Sequence, residues 1–439
     1  MRNGGSLTRA VVSAARNECH TTPSVSKALR HLLDHLEPPL DSLVKSGDRV
    51  LVKVNMGCSS VRNPQDRFTT HPAVVEAIIR VLQDCGAVVS FGDDVARAGM
   101  HCAHIWGATG MWDVAKRTGA TLIDFVSPGA REVRGGLLYP RKYLVTNAYF
   151  EADVVVNAAN CRSHANIGMT GAIKNMFGCV VGLRKQLIHN LFPGNLRHFG
   201  RAIADIHRVI PADLTFLDLT SVLEGHGTGE AVRPVGLMLA SPDPVALDTV
   251  AAHAIGYQEL PIWPTYYGGK LGLGFNDLQQ ISIRGLDWAR FEKRRLKHPL
   301  ISPLTKLSAY ARITAVANNT VLRPRPVINA TRCTGCKDCV TRCPVHCIQT
   351  GPGNVYCINL NNCVDCGCCL KVCEVGAAQL EFVSLAKVIR RLTNRLPEKV
   401  DPNPLNPLDP VPRGATKISL VGAMPRGERV DGGWPRLSS

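Results

Sequence analysis

Three consecutive segments have the residue pattern of a strand, a helix and a strand: DRVLVKVN (48–55), HPAVVEAIIRVL (71–82) and AVVSFGDD (87–94). The first and last segments are rich in β-branched residues, as strands are, and the middle segment carries apolar residues at helical spacing. Pro72 stands where the first turn of a helix accepts proline. Two strands joined by a helix form a βαβ unit, so the sequence predicts a parallel sheet with crossover helices.

Three more strand candidates follow, TLIDF (121–125), DVVVNAAN (153–160) and LTFLDLT (214–220). A second helix is expected after Ser241, because Asp243 is placed to cap its free amides and Pro244 to occupy its first position. The resulting fold class is α/β, a parallel-sheet sandwich domain that we expect to cover residues 1–285.

The carboxyl-terminal part of the chain contains two cysteine runs of the same spacing. The first run is C-x2-C-x2-C-x3-C and is followed by Pro344; the second repeats it thirty residues later and is followed by Glu374. The cysteines are Cys333, Cys336, Cys339 and Cys343 in the first run and Cys363, Cys366, Cys369 and Cys373 in the second. Bacterial two-cluster ferredoxins bind 4Fe-4S clusters with this spacing, and the region resembles that family over about sixty residues.

In such a duplication the fourth cysteine of each run serves the other cluster. Cluster one is therefore expected to take Cys333, Cys336, Cys339 and Cys373, and cluster two Cys363, Cys366, Cys369 and Cys343. The alternative is a pair of four-cysteine zinc sites, but those use two separated C-x2-C knuckles and gain nothing from a third cysteine in register. Cys347, Cys357 and Cys368 match no ligand position in both runs, and we expect them to pack as small apolar groups.

Composition narrows the class of protein. A chain of 439 residues allows two or three folded units, and no apolar run approaches the roughly 18 residues that span a bilayer. The first residues lack a secretory signal, so we expect a cytoplasmic protein whose 17 cysteines are reduced. The net charge of +16 is compatible with nucleic acid, an anionic membrane surface or an acidic redox partner.

The chain divides further beyond residue 285. Residues 286–326 form a basic linker with one predicted helix, which has Leu304, Leu307 and Ala311 on one face. Residues 327–384 form the small α+β ferredoxin-like domain with its two clusters. Residues 385–439 are basic and rich in proline, a composition that is expected to stay mobile.

Polar residues end most of the predicted strands. They are Lys53 and Asn55, Asp93 and Asp94, Asn157 and Asn160, and Asp218 and Glu224. Because ligands of open parallel sheets bind beyond the carboxyl ends of the strands, these side chains predict a cleft at this edge. The alternative is that each merely caps a turn or the helix that follows.

A glycine-rich segment, SHANIGMTGAIKNMFGCVVG (163–182), follows the fourth strand. If it is one helix, Met169, Ile173 and Met176 lie on one stripe and the glycines on the opposite side. Each interior glycine costs about 1 kcal/mol relative to alanine, so close approach of a backbone or ligand is expected to offset that cost. Tight helix packing is the alternative. Lys174 lies at the edge of the glycine face, where it could reach the cleft.

This segment, the stretch EGHGTGEAVRPVGLMLASPDPVALDTVAAHAIG (224–256) and the ferredoxin-like region together resemble the domain of unknown function 362 family. The resemblance covers roughly residues 8–285. It implies an iron-sulfur protein without a settled reaction, and it carries over His164, Lys174, Asn175, Glu224, Gly227, Asp243 and Asp248 without assigning a chemical step to any of them.

Two functions remain open on the sequence. In the first, an oxidoreductase relays electrons between the clusters and an unknown substrate or small-molecule cofactor in the α/β domain. Its catalytic candidates are Lys174, His164 and Glu224, and its cofactor-binding candidates are Lys53, Asn55, Asn175, Gly227 and Asp248. In the second, a non-enzymatic carrier or scaffold docks a redox partner protein. A low-potential donor supplies electrons in either case, and nucleic-acid binding rests on charge alone. No G-x-G-x-x-G nicotinamide turn follows the first strand.

Overall fold

The computed structural model describes most of the chain up to residue 381. The described residues are 9–57, 69–94, 102–135, 142–164, 167–181, 188, 196–224, 231–260, 262–298, 325–341, 343, 346–351, 355–360, 363 and 368–381. The predicted helix around Leu304, Leu307 and Ala311 and the predicted mobile tail, 385–439, lie outside these residues.

A nine-stranded, mostly parallel sheet forms the core of the α/β domain. Its strands are β1 (Ala10–Arg16), β2 (Arg49–Lys53), β3 (Val88–Asp93), β4 (Thr121–Asp124), β7 (Val154–His164), β8 (Gly168–Thr170), β9 (Leu214–Leu223), β10 (Val232–Ser241) and β11 (Ile281–Arg284). They run in the order β11-β1-β10-β9-β7-β2-β3-β4, with β8 paired to β7. A separate hairpin consists of β5 (Ala130–Arg134) and β6 (Lys142–Thr146).

The five predicted strands are confirmed as β2, β3, β4, β7 and β9. They lie side by side and pair in parallel, so their carboxyl ends meet at one edge of the sheet. In this register Lys53 stands opposite Asn157, and Asn160 stands opposite Asp218. The predicted α/β class is therefore correct, and the polar strand ends do gather at a common edge.

Helices cover both faces of the sheet. They are α1 (Thr22–Asp34), α2 (Leu40–Leu43), α3 (Pro72–Asp84), α4 (Cys102–Ala108), α5 (Met111–Thr118), α6 (Asn147–Glu151), α7 (Ala172–Asn175), α8 (Leu196–Val209), α9 (Pro244–Ala254) and α10 (Trp263–Lys270). One hydrophobic core joins α1, α3 and α5 to the sheet. Two further cores on the other face contain α9 and the segment around α7 and α8. Among the described residues, no helix has the length and apolarity required to cross a membrane.

Four strands of the sheet, β1, β8, β10 and β11, are absent from the sequence prediction. Strand β10 contains Pro234 and Gly236, which resemble a break in a strand, and the structure has a register shift between Pro234 and Leu237. It is antiparallel to both neighbours, β9 and β1. Because β1 is thereby parallel to β9, its carboxyl end also lies at the edge where the polar residues gather.

The glycine-rich segment is not one helix, and the conditional helical prediction is wrong. Strand β8 comes first, α7 spans four residues, and a short 3-10 helix follows over Met176–Cys179. Gly168 is the first residue of β8 and has φ +81°, a backbone conformation that residues other than glycine rarely adopt. Gly171 and Gly178 are required for another reason, because side chains from other elements occupy the space where their Cβ atoms would lie.

Residues 286–298 run along the α/β domain without forming a helix. Phe291 and Leu296 are buried in the core that contains α9, and the Leu296 amide donates to the Ile255 carbonyl at 3.1 Å. The predicted boundary at residue 285 remains a prediction, and these contacts extend the packed region about a dozen residues beyond it.

The cysteine-rich region is small. It contains β12 (Arg325–Ile328) paired to β15 (Ala378–Glu381), and β13 (Ile348–Thr350) paired to β14 (Tyr356–Ile358). Two short helices, α11 (Asp338–Thr341) and α12 (Cys368–Val372), complete it. Its core is formed largely by cysteines together with Ile348, Tyr356 and Ala378.

Candidate functional site

Four cysteines of the predicted first cluster lie together. The thiol of Cys339, buried at the start of α11, interacts electrostatically with Cys336, Cys333 and Cys373. The pKa of the Cys339 thiol is raised to about 11, mainly by burial and to a lesser extent by these neighbouring cysteines. The fourth partner comes from the second cysteine run, which is the crossed arrangement predicted for cluster one.

A second cysteine group forms around Cys343. Its sulfur lies 3.5 Å from that of Cys347, which also interacts with Cys363, and burial raises the pKa of Cys347. Cys369 is buried in the same small core. Cys366, the remaining predicted ligand of cluster two, lies outside the described residues. Cys347 is buried and packs directly against two predicted ligands, and its role as an apolar packing residue stays a prediction.

Backbone amides also point at the predicted ligands. Ala377 and Ala378 donate N–H groups to the Cys373 sulfur at 3.1 and 3.3 Å, and the Cys347 amide donates to the Cys343 sulfur at 3.3 Å. Such bonds stabilise a thiolate and tune an iron-sulfur cluster, so the residues fit the group. Within the described ranges no three His, Cys, Asp or Glu side chains are grouped around a single-ion site. A cubane is larger than one ion and spreads its ligands more widely.

Val372 connects this region to the α/β domain. It lies in α12 between the predicted ligands Cys369 and Cys373, and it packs against the small cysteine core. It also packs against the α/β core cluster that includes Ile173 and Met176. The predicted ligands Cys369 and Cys373 therefore lie close to this α/β core cluster.

Lys53 is fully buried beneath that segment. Its Nζ lies 2.9 Å from Asp93 Oδ1 and 3.5 Å from Asn175 Oδ1. The other Asp93 oxygen accepts the Met56 amide at 2.9 Å. Gly178 lies directly over the pair, so that a Cβ there would overlap both Lys53 and Asp93. The ammonium and carboxylate neutralise each other in a closed space.

Two amide side chains extend this buried network. Asn175 Nδ2 donates to Asn157 Oδ1 at 2.7 Å, and Asn157 Nδ2 donates to the Ala172 carbonyl at 2.9 Å. Sequence analysis predicts Lys53 and Asn175 as cofactor-binding residues, and the structure does bring them together. Their polar groups are directed at one another, which anchors α7 and the following turn to β2 and β7.

Asp248 holds the other end of α7. Its two oxygens accept the Ala172 amide at 2.6 Å and the Ile173 amide at 3.1 Å. Burial raises the pKa of Asp248 to about 7, although these hydrogen bonds oppose the rise. A Cβ on Gly171 would overlap its carboxylate. Asp243, five residues earlier, caps α9 through Val245 and Ala246, as predicted.

The α/β fold class predicts a ligand crevice at the carboxyl edge of the sheet. Strand β2 has β7 on one side and β3 on the other, which makes the gap between β2 and β7 the topological switch point of the sheet. Asn55 Nδ2 donates to Asn160 Oδ1 at 2.7 Å across this gap. The hydroxyl of Thr70 accepts the Asn55 amide at 3.0 Å and donates to the Ala158 carbonyl at 2.8 Å. Asn55 is thus a fixed part of the crevice wall.

His20 and Asp218 form a buried pair at the same edge. His20 Nε2 lies 2.7 Å from Asp218 Oδ2, and the two side chains are only 7% and 5% exposed. Burial acts to raise the pKa of Asp218, but hydrogen bonds from His20 and from the Thr220 amide outweigh it and lower the pKa. Asp218 is a predicted residue of this edge and His20 is not, because the sequence pattern does not reveal the strand β1 that His20 follows.

His71 completes this group. Its ring stacks on that of His20 with 4.3 Å between centroids and 19° between planes. His71 Nδ1 accepts the Ala73 amide at 3.2 Å as the N-cap of α3. Beside them Cys19 is exposed, and hydrogen bonds from the Thr21 hydroxyl and amide lower the pKa of its thiol. We refer to His20, His71 and Asp218 as the histidine cluster.

Of the remaining predicted residues, Glu224 bonds to groups outside this cluster. Glu224 accepts Arg233 Nε at 2.8 Å and the Lys297 amide at 3.1 Å, so both of its oxygens are engaged. His164 ends β7 opposite Gly168, and Lys174 is partly exposed on α7. Their catalytic roles stay predictions. Gly227 lies outside the described residues.

Comparison with known proteins adds two family matches. The family described as a domain of unknown function (DUF362) matches residues 50–253, and the 4Fe-4S binding domain matches residues 326–349. A thylakoid-associated protein of Synechocystis sp. is 33% identical over 251 residues, which are 54% of this chain and 72% of that protein.

Ferredoxins match the cysteine-rich region. A ferredoxin of Alicyclobacillus acidocaldarius is 44% identical over 61 residues, 13% of this chain and 77% of its own. One of Mycobacterium tuberculosis is 49% identical over 45 residues, 10% of this chain and 39% of its own. Among solved structures, the lactate racemase apoprotein of Thermoanaerobacterium thermosaccharolyticum is similar with a TM-score of 0.36 at 12% identity. That match covers 56% of this chain and 58% of the racemase.

Proposed function

This chain belongs to the domain of unknown function 362 family and carries a 4Fe-4S binding domain, and on that premise we propose that it is an oxidoreductase. Two 4Fe-4S clusters held by Cys333, Cys336, Cys339 and Cys373, and by Cys363, Cys366, Cys369 and Cys343, take electrons from a low-potential donor. The electrons are passed to a small molecule bound in the crevice of the α/β domain.

The position of Val372 is the observation that supports this proposal most strongly. A residue between two predicted cluster ligands packs into the α/β core cluster that contains Ile173 and Met176. That cluster includes residues of the glycine-rich segment, which the Lys53 network fastens to the sheet. An independent carrier domain on a linker would need no such contact, whereas an internal electron relay needs a short, fixed path.

The residues of the chain have separate tasks in this proposal. When bound, the clusters supply one-electron transfer. The Lys53–Asp93 pair and Asp248 hold the segment between the clusters and the crevice in place. Asn55 and Asn160 shape the crevice at the switch point, and the histidine cluster offers groups that can bind a ligand or move a proton there.

The test is anaerobic purification followed by iron, sulfide and small-molecule analysis. Two clusters require about eight iron and eight sulfide per chain, and dithionite should bleach their visible absorbance. We expect Cys336→Ala to lose about half of the iron, because it removes a ligand of one cluster. Cys85→Ala, which changes a half-buried cysteine at the end of α3, should retain all of it.

Electron transfer from the clusters to a small molecule is tested by a separate experiment. Any small molecule recovered from the protein is added back to the dithionite-reduced protein, and the return of the absorbance is followed by stopped flow. Reoxidation that Cys336→Ala slows and Cys85→Ala leaves unchanged is the expected result. Colourless protein, or clusters that no recovered molecule reoxidises, would overturn the proposal.

A second candidate function is supported by the basic segment that follows β11. Arg290, Lys293, Arg295 and Lys297 are all exposed along the α/β domain. Such a surface fits an acidic redox protein, in which case the chain is a carrier that docks a partner. A stoichiometric partner that co-purifies and dissociates in high salt, with no small molecule present, would favour this function over the enzyme.

A further inference from the structure

Cys347 lies beside the predicted ligands of cluster two without being one of them. Its sulfur is 3.5 Å from that of Cys343, and its thiol also interacts with Cys363. Cys343 and Cys347 are both buried, with 6% and 3% of their surfaces exposed. The backbone reinforces the contact, because the Cys347 amide donates to the Cys343 sulfur at 3.3 Å. A further thiol is thus held against two ligand sulfurs where solvent scarcely reaches.

The direction of this hydrogen bond follows from the chemistry of the ligands. Iron binds the thiolate form of cysteine, so Cys343 and Cys363 carry no proton once cluster two is bound. A thiolate only accepts hydrogen bonds, whereas the Cys347 thiol still has an S–H group to donate. Reduction adds negative charge to a cluster and its sulfurs, so a hydrogen bond to a ligand sulfur stabilises the reduced form and raises the reduction potential. Burial strengthens such a bond, because little water competes for it.

The second cysteine run has an alanine at the corresponding position. Ala377 follows Cys347 by thirty residues and stands four residues after Cys373, as Cys347 stands four residues after Cys343. The backbone bond is repeated, since the Ala377 amide donates to the Cys373 sulfur at 3.1 Å, but a methyl side chain has no proton to donate. Cys373 is a predicted ligand of cluster one. The duplicated region therefore repeats the amide donor and differs in whether a thiol donor accompanies it.

We propose that the Cys347 thiol donates a hydrogen bond to a ligand sulfur of cluster two, that of Cys343 or Cys363, and thereby raises the reduction potential of this cluster. The inference rests on the two clusters of the proposed function and gives one of them a group that controls where an electron resides. When the protein holds a single electron, the Cys347 thiol increases the share of that electron on cluster two. Ala377 gives cluster one no equivalent bond.

The test is a dithionite redox titration of the reconstituted full-length protein, followed by visible absorbance and electron paramagnetic resonance. The wild-type protein should contain about eight iron and show two one-electron steps. Cys347→Ala should keep its iron and lower one step, so that the ratio of reduced to oxidised cluster at a fixed potential falls about three- to tenfold. For a one-electron couple this change corresponds to about 30–60 mV. Cys347→Ser keeps a donor and should lower the ratio less than Cys347→Ala does.

Cys357→Ala is the matched control, because Cys357 is an exposed cysteine in β14 of the same region and its loss should leave both steps unchanged. If Cys347→Ala fails to fold, Cys347→Val replaces it, since valine also lacks a donor and fills more of the space.

Two unchanged steps in Cys347→Ala, or equal lowering in the alanine and serine variants, would overturn the inference. Loss of about half of the iron from a Cys347→Ala protein with intact secondary structure would also overturn it, because Cys347 would then be a ligand. These outcomes leave the proposed function standing as long as the wild-type protein holds two clusters. Clusters that no recovered small molecule reoxidises count against the proposed function and not against the role of Cys347.

Discussion

Gly178 lacks a side chain because Lys53 and Asp93 occupy the space where one would begin. The Lys53–Asp93 ion pair can be buried because each charge has a partner and the Asp93 carboxylate also accepts backbone amides. Gly178, which interrupts a helical pattern in the sequence, thus covers a buried salt bridge. Its conformational freedom is of no importance at this position, whereas its small size is essential.

Replacing Gly178 by alanine should destabilise the protein by about 1–3 kcal/mol, because the added methyl overlaps buried atoms that have no room to move. Urea unfolding followed by far-ultraviolet circular dichroism measures this. The matched variant is Gly107→Ala, in exposed α4, where the new methyl meets only Trp112 at 3.7 Å. Gly107→Ala should be neutral or stabilising by up to about 1 kcal/mol, and equal losses in both variants would contradict the explanation.

At the same scale, the sequence indicates which polar residues reach the sheet edge but not how they pair. Lys53 and Asn175 follow the expected pattern, yet their bonding to Asp93 and Asn157 depends on register between distant segments. His20 escapes prediction altogether. Its importance comes from Asp218, nearly two hundred residues away in the chain, and from stacking on His71.

The element that depends most on others is α7. Four residues are too few for a helix to be stable by itself, so α7 persists because Asp248 accepts the two amides at its start. The residues of the glycine-rich segment favour a longer helix by periodicity alone. The close approach of Asp248 to Gly171 and of Lys53 to Gly178 instead breaks it into a strand, a single turn and a 3-10 helix, which no local pattern encodes.

Asp248→Ala should therefore cost about 2–4 kcal/mol of unfolding free energy, because two buried amides lose their acceptor. Asp277→Ala is the control. It removes a cap from an exposed 3-10 helix, through the Gln279 amide, and should cost about 1 kcal/mol or less. Comparable losses at both positions in urea unfolding would show that α7 does not depend on Asp248.

The cost at Asp248 should also vary with pH. Burial raises its pKa from 3.8 to about 7, so between these values the folded protein keeps a proton that the unfolded chain has lost. Stability contributed at this position then falls as pH rises through that range. The difference between wild type and Asp248→Ala should be larger at pH 5 than at pH 8. A difference that grows with pH would be inconsistent with a carboxyl held neutral by burial.

On the scale of the whole molecule, the two parts of the described chain differ in how they are stabilised. The α/β domain has three extensive hydrophobic cores. The cysteine-rich region has a core made largely of thiols, with Ile348, Tyr356 and Ala378 as its main apolar members. So small a core rarely supports folding without metal or disulfide cross-links.

Removal of iron with a chelator, under reducing anaerobic conditions, should unfold residues 325–381 and leave the sheet intact. Limited trypsin digestion would then cut at Arg332 and Lys337 while the α/β domain resists, and adding back iron and sulfide should restore protection. Loss of all secondary structure on chelation would mean that the sheet too depends on the clusters. Unchanged protection from trypsin would mean that iron binding by the cysteines does not stabilise the cysteine-rich region.

Fold class and cysteine grouping follow from the sequence at this scale because both rest on short-range periodicity and spacing. The complete sheet does not. Strands β1 and β11 join it only through pairings that span more than two hundred residues. Strand β10 pairs with β9, its neighbour in sequence, but Pro234 and Gly236 hide it as a strand. The predicted domain boundaries remain predictions. Phe291 and Leu296 pack in the α/β core, so the packed region continues past the boundary predicted at residue 285.

The place of β1 in the sheet has a consequence for biosynthesis. Its neighbours are β10 and β11, so residues 10–16 leave the ribosome long before residues 232–284, which contain their hydrogen-bonding partners, have been made. During translation this early strand is an exposed edge, the kind of segment that chaperones cover. The loop that bears His20 takes its final shape only after that late docking.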